Sequence, residues 1–159
     1  MFGIFSRKKA VEFKAPVSGT AMDLTTVPDD VFAQKMVGDG LAFEPSEGVL
    51  HAPVDGQVVQ VSPTKHAIGL RTKEGLEVLI HIGIDTVDMK GEGFESLVTA
   101  GQTVRTGDQL MTFDRELIRQ KAKSTMIPMI ITNMDHVRKI SVTYGPVDLH
   151  SAVMNVEAK

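Results

Sequence analysis

Residues 66–83 read HAIGLRTKEGLEVLIHIG. Two aliphatic and β-branched runs flank Lys73-Glu74-Gly75-Leu76, the pattern of a β-hairpin. With Glu74 and Gly75 as the two central turn residues, Lys73 pairs with Leu76. Leu70 then faces Leu79, Ile68 faces His81, and His66 faces Gly83. Side chains alternate faces along a strand, so this register sets His66 and His81 diagonally adjacent on one face. A three-residue loop would put them on opposite faces. The meeting of two imidazoles therefore hangs on one turn.

The pattern continues outward. Short β-type runs recur as VEFKAPV (11–17), GQVVQV (56–61), QLMTF (109–113), IPMIIT (127–132) and AVMNVE (152–157). The 14 glycines and 7 prolines punctuate them at short intervals, which indicates an all-β sandwich or barrel. Two short helices fit between. Residues 114–122, DRELIRQKA, open on Asp114 as a predicted N-cap. Residues 29–37, DDVFAQKMV, follow Pro28 and stop at Gly38. Ala15-Pro16-Val17-Ser18-Gly19 recurs 37 residues later as Ala52-Pro53-Val54-Asp55-Gly56, an echo compatible with a duplicated motif within one domain.

Composition bounds the function. A chain of 159 residues suits one domain with a sizeable core. A net charge of −3 offers no broad basic surface, so no nucleic-acid partner is expected. Cysteine is absent, which removes disulfides and thiolate metal sites and fits a reducing compartment. No apolar run approaches the roughly 18–20 residues that span a bilayer. The start, MFGIFSRKKA, does not have the form of a secretory signal, and a cytoplasmic location is expected. Residues 1–10 read as a flexible tail before a single domain at 11–159. Phe2, Ile4 and Phe5 followed by Arg7, Lys8 and Lys9 also fit a weak contact with an anionic membrane surface.

The hairpin face carries the chemistry. His81 sits in a strand built for burial, with His66 beside it, Thr64 two residues before His66, and Asp85 continuing the His81 face by parity. Gly83 leaves space beside the ring for something bulky to approach. A neutral imidazole is a good nucleophile, and a second can donate hydrogen bonds to a developing anion. Phosphoryl transfer needs such parts. The plainer reading makes each histidine a core group bonded to a carbonyl. A zinc site would need a third ligand, and no H-x-H or H-x-x-x-H surrounds either residue. His51, His136 and His150 stand in turn-like or polar contexts and read as surface residues.

These motifs resemble the glucose-type IIA family of the bacterial phosphoenolpyruvate-dependent sugar phosphotransferase system. The resemblance rests on VPDDVFAQKMVGDG (27–40), APVDG (52–56), TKHA (64–67), HIGIDTV (81–87), KGEGF (90–94) and KAKSTMIPMIITNMD (121–135), and runs from about residue 12 to the end. It implies an antiparallel β-sandwich of the barrel-sandwich, duplicated-hybrid type. It implies that His81 accepts a phosphoryl group at Nε2 from the histidine phosphocarrier protein and passes it to a cysteine of a permease IIB domain. His66 would stabilise the phosphoryl group and Thr64 would assist it. Val31, Phe32, Met36, Val37 and Leu79 match an apolar patch rimming the site, and Asp29 and Asp85 match acids that meet the basic carrier. An exposed apolar rim would exclude water from a labile N–P bond. Asp30 departs from the apolar character expected at its place. No cofactor or metal is implied.

Two other readings were open. Lysostaphin-type zinc peptidases share the hybrid-motif fold, and His81 with Asp85 resembles part of their ligand set, but their H-x-H is missing. A purely regulatory binding module would need no reactive histidine, yet both histidines and Thr64 are present. Regulation could still ride on catalysis, because phosphorylation adds about −1.5 to −2 of charge at one site.

Overall fold

Burial alternates along Glu77–His81, with Val78 and Ile80 turned inward and Glu77, Leu79 and His81 turned out. A computed structural model describes residues 10–159. Residues 1–9, which hold most of the expected tail, lie outside the described residues. Ala10, counted with that tail, instead opens the first strand.

The chain begins with β1 (Ala10–Lys14) and β2 (Gly19–Asp23), followed by a one-turn helix, α1 (Asp30–Ala33). Then come β3 (Asp39–Pro45), β4 (Val49–His51), β5 (Gly56–Val61), β6 (Ala67–Arg71) and β7 (Glu77–His81). A 3-10 turn at Thr86–Met89 leads to β8 (Phe94–Ser96), β9 (Thr103–Val104), β10 (Gln109–Phe113) and α2 (Arg115–Lys121). The chain ends with β11 (Ile127–Ile131), β12 (Val137–Val142), β13 (Gly145–Val147) and β14 (Ala152–Ala158).

An eight-stranded sheet runs in the order β13-β2-β3-β11-β7-β6-β5-β9. Two three-stranded sheets, β1-β14-β12 and β4-β10-β8, face it. The strand ladders among the described residues are antiparallel. This is the all-β sandwich with two short helices that the strand pattern predicts. The main core lies between the sheets and includes Phe13, Phe43, Leu50, Leu70, Ile80 and Met129. A second, smaller cluster covers the outer face of the large sheet, with Leu24, Val27, Phe32, Ala42, Ile84, Met126 and Ile130. Strand β11 is buried along its whole length because it lies between the two clusters.

The repeated motif sits on a local two-fold exchange. Lys14 N–H donates to Pro53 O (2.9 Å), and His51 N–H donates to Pro16 O (2.8 Å). The two donors, Lys14 and His51, and the two acceptors, Pro16 and Pro53, are each separated by the 37-residue offset of the echo.

The hairpin differs from the expected register by one residue. Ala67 faces His81, Ile68 faces Ile80 and Leu70 faces Val78. The loop is Lys73-Glu74-Gly75, closed by Thr72 N–H donating to Leu76 O at 3.0 Å, with Gly75 at φ +93°. A two-residue type I′ turn would have forced Glu74 as well as Gly75 into the left-handed region. A type I turn followed by one left-handed glycine places only the glycine there.

Helix α1 is also shorter than predicted. Asp29 caps it by accepting from Val31 N–H at 2.9 Å, but the helix ends at Ala33 and Lys35 turns to φ +58°. Helix α2 begins as expected, with the Asp114 carboxylate accepting from Leu117 N–H at 3.0 Å.

Candidate functional site

His81 is the last residue of β7, and the ladder stops beside it. Strand β11 pairs with β7 only from Met129–Ile80 to Ile131–Val78. The next residue along, Pro128, has no N–H with which to extend the pairing opposite His81. The chain then turns sharply through Gly83, at φ +77°. A Cβ there would lie 2.5 Å from Thr86 Cγ2 and 3.0 Å from Ser124 O. The glycine therefore serves close packing, and the opening expected beside His81 is filled. Asp85 does not continue the strand face. It sits exposed and left-handed, at φ +62°, ahead of the 3-10 turn.

With the observed register, strict alternation would turn His66 away from His81. The two rings nevertheless meet, with centroids 4.8 Å apart in an edge-to-face arrangement at 74°. His66 precedes the first residue of β6, so alternation does not bind it. It leaves a loop whose Lys65 is left-handed, at φ +60°, and its carbonyl accepts from Ile82 N–H at 2.6 Å.

The hydrogen bonds orient both rings. His81 Nδ1 lies 2.7 Å from Gly83 O. A carbonyl only accepts, so Nδ1 carries the proton and Nε2 holds the lone pair. His66 Nδ1 lies 2.5 Å from Thr64 Oγ1 and 3.4 Å from Ser62 Oγ. Burial pushes the pKa of His81 down, against the Gly83 carbonyl, Asp29 and Asp85, which favour the cation. Burial also lowers His66, with the neighbouring His81 adding to it. Both rings are thus held neutral at pH 7, and His81 presents an unprotonated Nε2.

The apolar residues divide. Val31, Met36 and Val37 are 42%, 67% and 39% exposed. Phe32 is only 7% exposed, so its expected place on an exposed rim is corrected: it belongs to the second core cluster. Its ring packs against His81, with centroids 5.2 Å apart and a tilt of 57°. A four-residue helix capped at Asp29 turns one large side chain inward, and burying an aromatic there outweighs leaving it in water. Leu79 is half-buried, on the His81 side of β7, and packs on the same cluster.

Three features were missed in the sequence. Ser62 carries no motif signal. The Gly83 carbonyl is backbone and leaves no signature. Val87, 50% exposed two residues past Asp85, extends the apolar surface and stands openly in HIGIDTV. His136 and His150 are exposed, but His51 is half-buried with a buried Nδ1 that has no hydrogen-bond partner. Among the described residues no group of three or more His, Cys, Asp or Glu could hold a metal ion. No described helix is long and apolar enough to cross a membrane.

Residues 11–137 match the family described as phosphoenolpyruvate-dependent sugar phosphotransferase system, EIIA 1. A relative from Bacillus cereus named PTS system glucose-specific EIIA component is 51% identical over 145 residues, 91% of this chain and 88% of its own. One of the same name from Halalkalibacterium halodurans is 54% identical over 123 residues, 77% of this chain and 71% of its own. The solved structure titled glucose permease IIA from Mycoplasma capricolum superposes with a TM-score of 0.90 at 41% identity, covering 96% of this chain and 99% of that one.

Proposed function

The chain belongs to the EIIA 1 family of the phosphoenolpyruvate-dependent sugar phosphotransferase system, and from that membership we propose that its phosphoryl group travels on His81 Nε2. The protein is a phosphotransferase component that relays a phosphoryl group through a phosphohistidine. The observation that carries the choice of residue and atom is the 2.7 Å bond from His81 Nδ1 to Gly83 O. It leaves Nε2 as the nucleophile.

In the proposed route the His81 Nε2 lone pair attacks the phosphorus of the phosphorylated histidine carrier. The carrier's N–P bond breaks as the new one forms, and its electrons return to the carrier imidazole. His81 keeps its Nδ1 proton, and the Gly83 carbonyl stabilises the positive ring. His66 donates from Nε2 to the phosphoryl oxygens, with Thr64 directing its hydroxyl to Nδ1. A thiolate of the permease IIB domain then attacks phosphorus, and His81 leaves as neutral imidazole. Val31, Met36 and Val37 form the dry contact around the site, and Asp29 and Asp85 steer the basic carrier. The names of the relatives support glucose as the sugar taken up downstream. On sequence alone, Phe2 to Lys9 support a weak contact with an anionic membrane.

The test is incubation with phosphoenolpyruvate, the first enzyme of the system and the carrier, followed by intact mass. One acid-labile phosphoryl group should appear, and His81→Ala should fold and gain none. A phosphorylated His81→Ala protein would remove His81 from the role.

A further inference from the structure

We propose that Ser62 is a positioning residue that sets the tautomer of His66; the inference rests on the reading of His66 as a donor to the phosphoryl oxygens. Ser62 follows β5 and ties down the loop that holds Thr64 and His66. Its N–H donates to Ala67 O at 3.0 Å, and its carbonyl accepts from Lys65 N–H at 2.9 Å. Its Oγ accepts from His66 N–H and from Ala67 N–H, each at 3.1 Å. The same Oγ faces His66 Nδ1 at 3.4 Å.

A hydroxyl has two lone pairs and one proton. The two amides occupy both lone pairs of Ser62, so its proton is what remains to meet Nδ1. A hydrogen on Nδ1 would point at an oxygen with nothing left to accept it. Thr64 Oγ1, 2.5 Å from the same nitrogen, does not settle the matter, because a free hydroxyl can donate or accept. Ser62 breaks that tie. It makes Nδ1 the acceptor for both hydroxyls and leaves the ring hydrogen on Nε2. That is the form that can donate to an oxyanion beside His81. Orienters of this kind fix an imidazole through its far nitrogen without touching the reacting atoms.

The test combines imidazole nitrogen NMR with transfer kinetics on the full chain. In the unsubstituted protein, His66 Nδ1 should resonate as the unprotonated nitrogen and Nε2 as the protonated one. Ser62→Ala should give mixed tautomers at His66 and slow transfer to the IIB cysteine about three- to tenfold, the worth of one hydrogen bond. Ser62→Thr, which keeps the hydroxyl, should restore both signatures. A protonated Nδ1 in the unsubstituted protein overturns the proposal without any variant. An unchanged single tautomer in Ser62→Ala, mixed tautomers with an unchanged transfer rate, or no rescue by threonine overturns it as well. Failure of the unsubstituted protein to take a phosphoryl group on His81 would instead sink the proposed relay route, and is read separately by mass.

Discussion

His81 donates its Nδ1 hydrogen to the carbonyl of Gly83, two residues further along its own chain, at 2.7 Å. The contact is local, so the His81 ring is oriented by the turn that ends its strand and needs no distant partner. Gly83 sustains the turn at φ +77°, and the Thr86 hydroxyl donates to Ile82 O at 2.7 Å to close it.

The first prediction concerns pH. Burial holds His81 below the ordinary imidazole value of 6.5, and burial with the neighbouring His81 does the same for His66. Acid would protonate His81 at Nε2 and remove its lone pair. Acceptance should therefore persist below pH 6.5 and fail only as pH drops through the lowered value. Linkage has the same direction. The unfolded chain binds these protons first, so stability should fall as pH drops from 6.5 toward the folded values, then level. Proton NMR titration of the two rings, with denaturation at several pH values, checks both. A His81 that titrates above 6.5 would contradict the buried, neutral ring.

Gly83→Ala should damage structure and chemistry together. The new methyl meets Thr86 Cγ2 and Ser124 O, and the backbone is left-handed. Strain and overpacking should cost about 2–4 kcal/mol, seen as a lower denaturant midpoint. As the turn relaxes, the carbonyl should leave His81 Nδ1 and phosphoryl acceptance should slow. An alanine variant of unchanged stability and rate would mean that the turn does not orient the ring.

The hairpin shows what was legible in the sequence and what was not. Strand existence followed from the aliphatic and β-branched runs, but the expected register set Ile68 and Leu70 on the His81 face, whereas they lie opposite Ile80 and Val78 and are buried with them. Register did not follow, because Lys-Glu-Gly supports either a two- or a three-residue loop. The backbone cost of a left-handed Glu74 decided it. His66 and His81 still meet because His66 lies before the strand, where a left-handed Lys65 replaces the alternation rule. Phe32 was set on the exposed rim only by its match to the family's apolar patch; α1 lasts four residues and turns Phe32 inward while Met36 stays exposed. The Gly83 carbonyl could not be read at all, since any residue supplies a carbonyl.

Of the two acids near His81, Asp29 also caps α1, whereas Asp85 makes no capping hydrogen bond and should act through charge alone. Asp85 is exposed and left-handed, a conformation asparagine tolerates, so Asp85→Asn should fold normally. Asp29 and Asp85 both raise the pKa of His81, so losing Asp85 should move its titration further down. Capture of the carrier should slow at low ionic strength and approach the unsubstituted rate at high salt. A rate loss equal at both ionic strengths would assign Asp85 a contact rather than a field.

Phe32 and Met36 should separate stability from docking. Phe32 is 7% exposed, packs in the second core cluster and leans on the His81 ring. Phe32→Ala should cost about 3–4 kcal/mol of stability by leaving a cavity. It should also lower the phosphorylation rate at saturating carrier, because the wall behind the nucleophile is gone. Met36 is 67% exposed and belongs to neither core cluster, so Met36→Ala should change stability by no more than about 0.5 kcal/mol. If the exposed rim is where the carrier docks, Met36→Ala should raise the carrier concentration at half-saturation by the equivalent of about 1 kcal/mol. Its saturated rate should stand, since His81 and His66 keep their geometry. Phosphorylation rate against carrier concentration, with denaturation curves for both variants, distinguishes the two. A Phe32→Ala protein of full stability and normal saturated rate, weakened only in half-saturation, would return the aromatic to the docking surface. A Met36→Ala protein with unaltered half-saturation would remove Met36 from it.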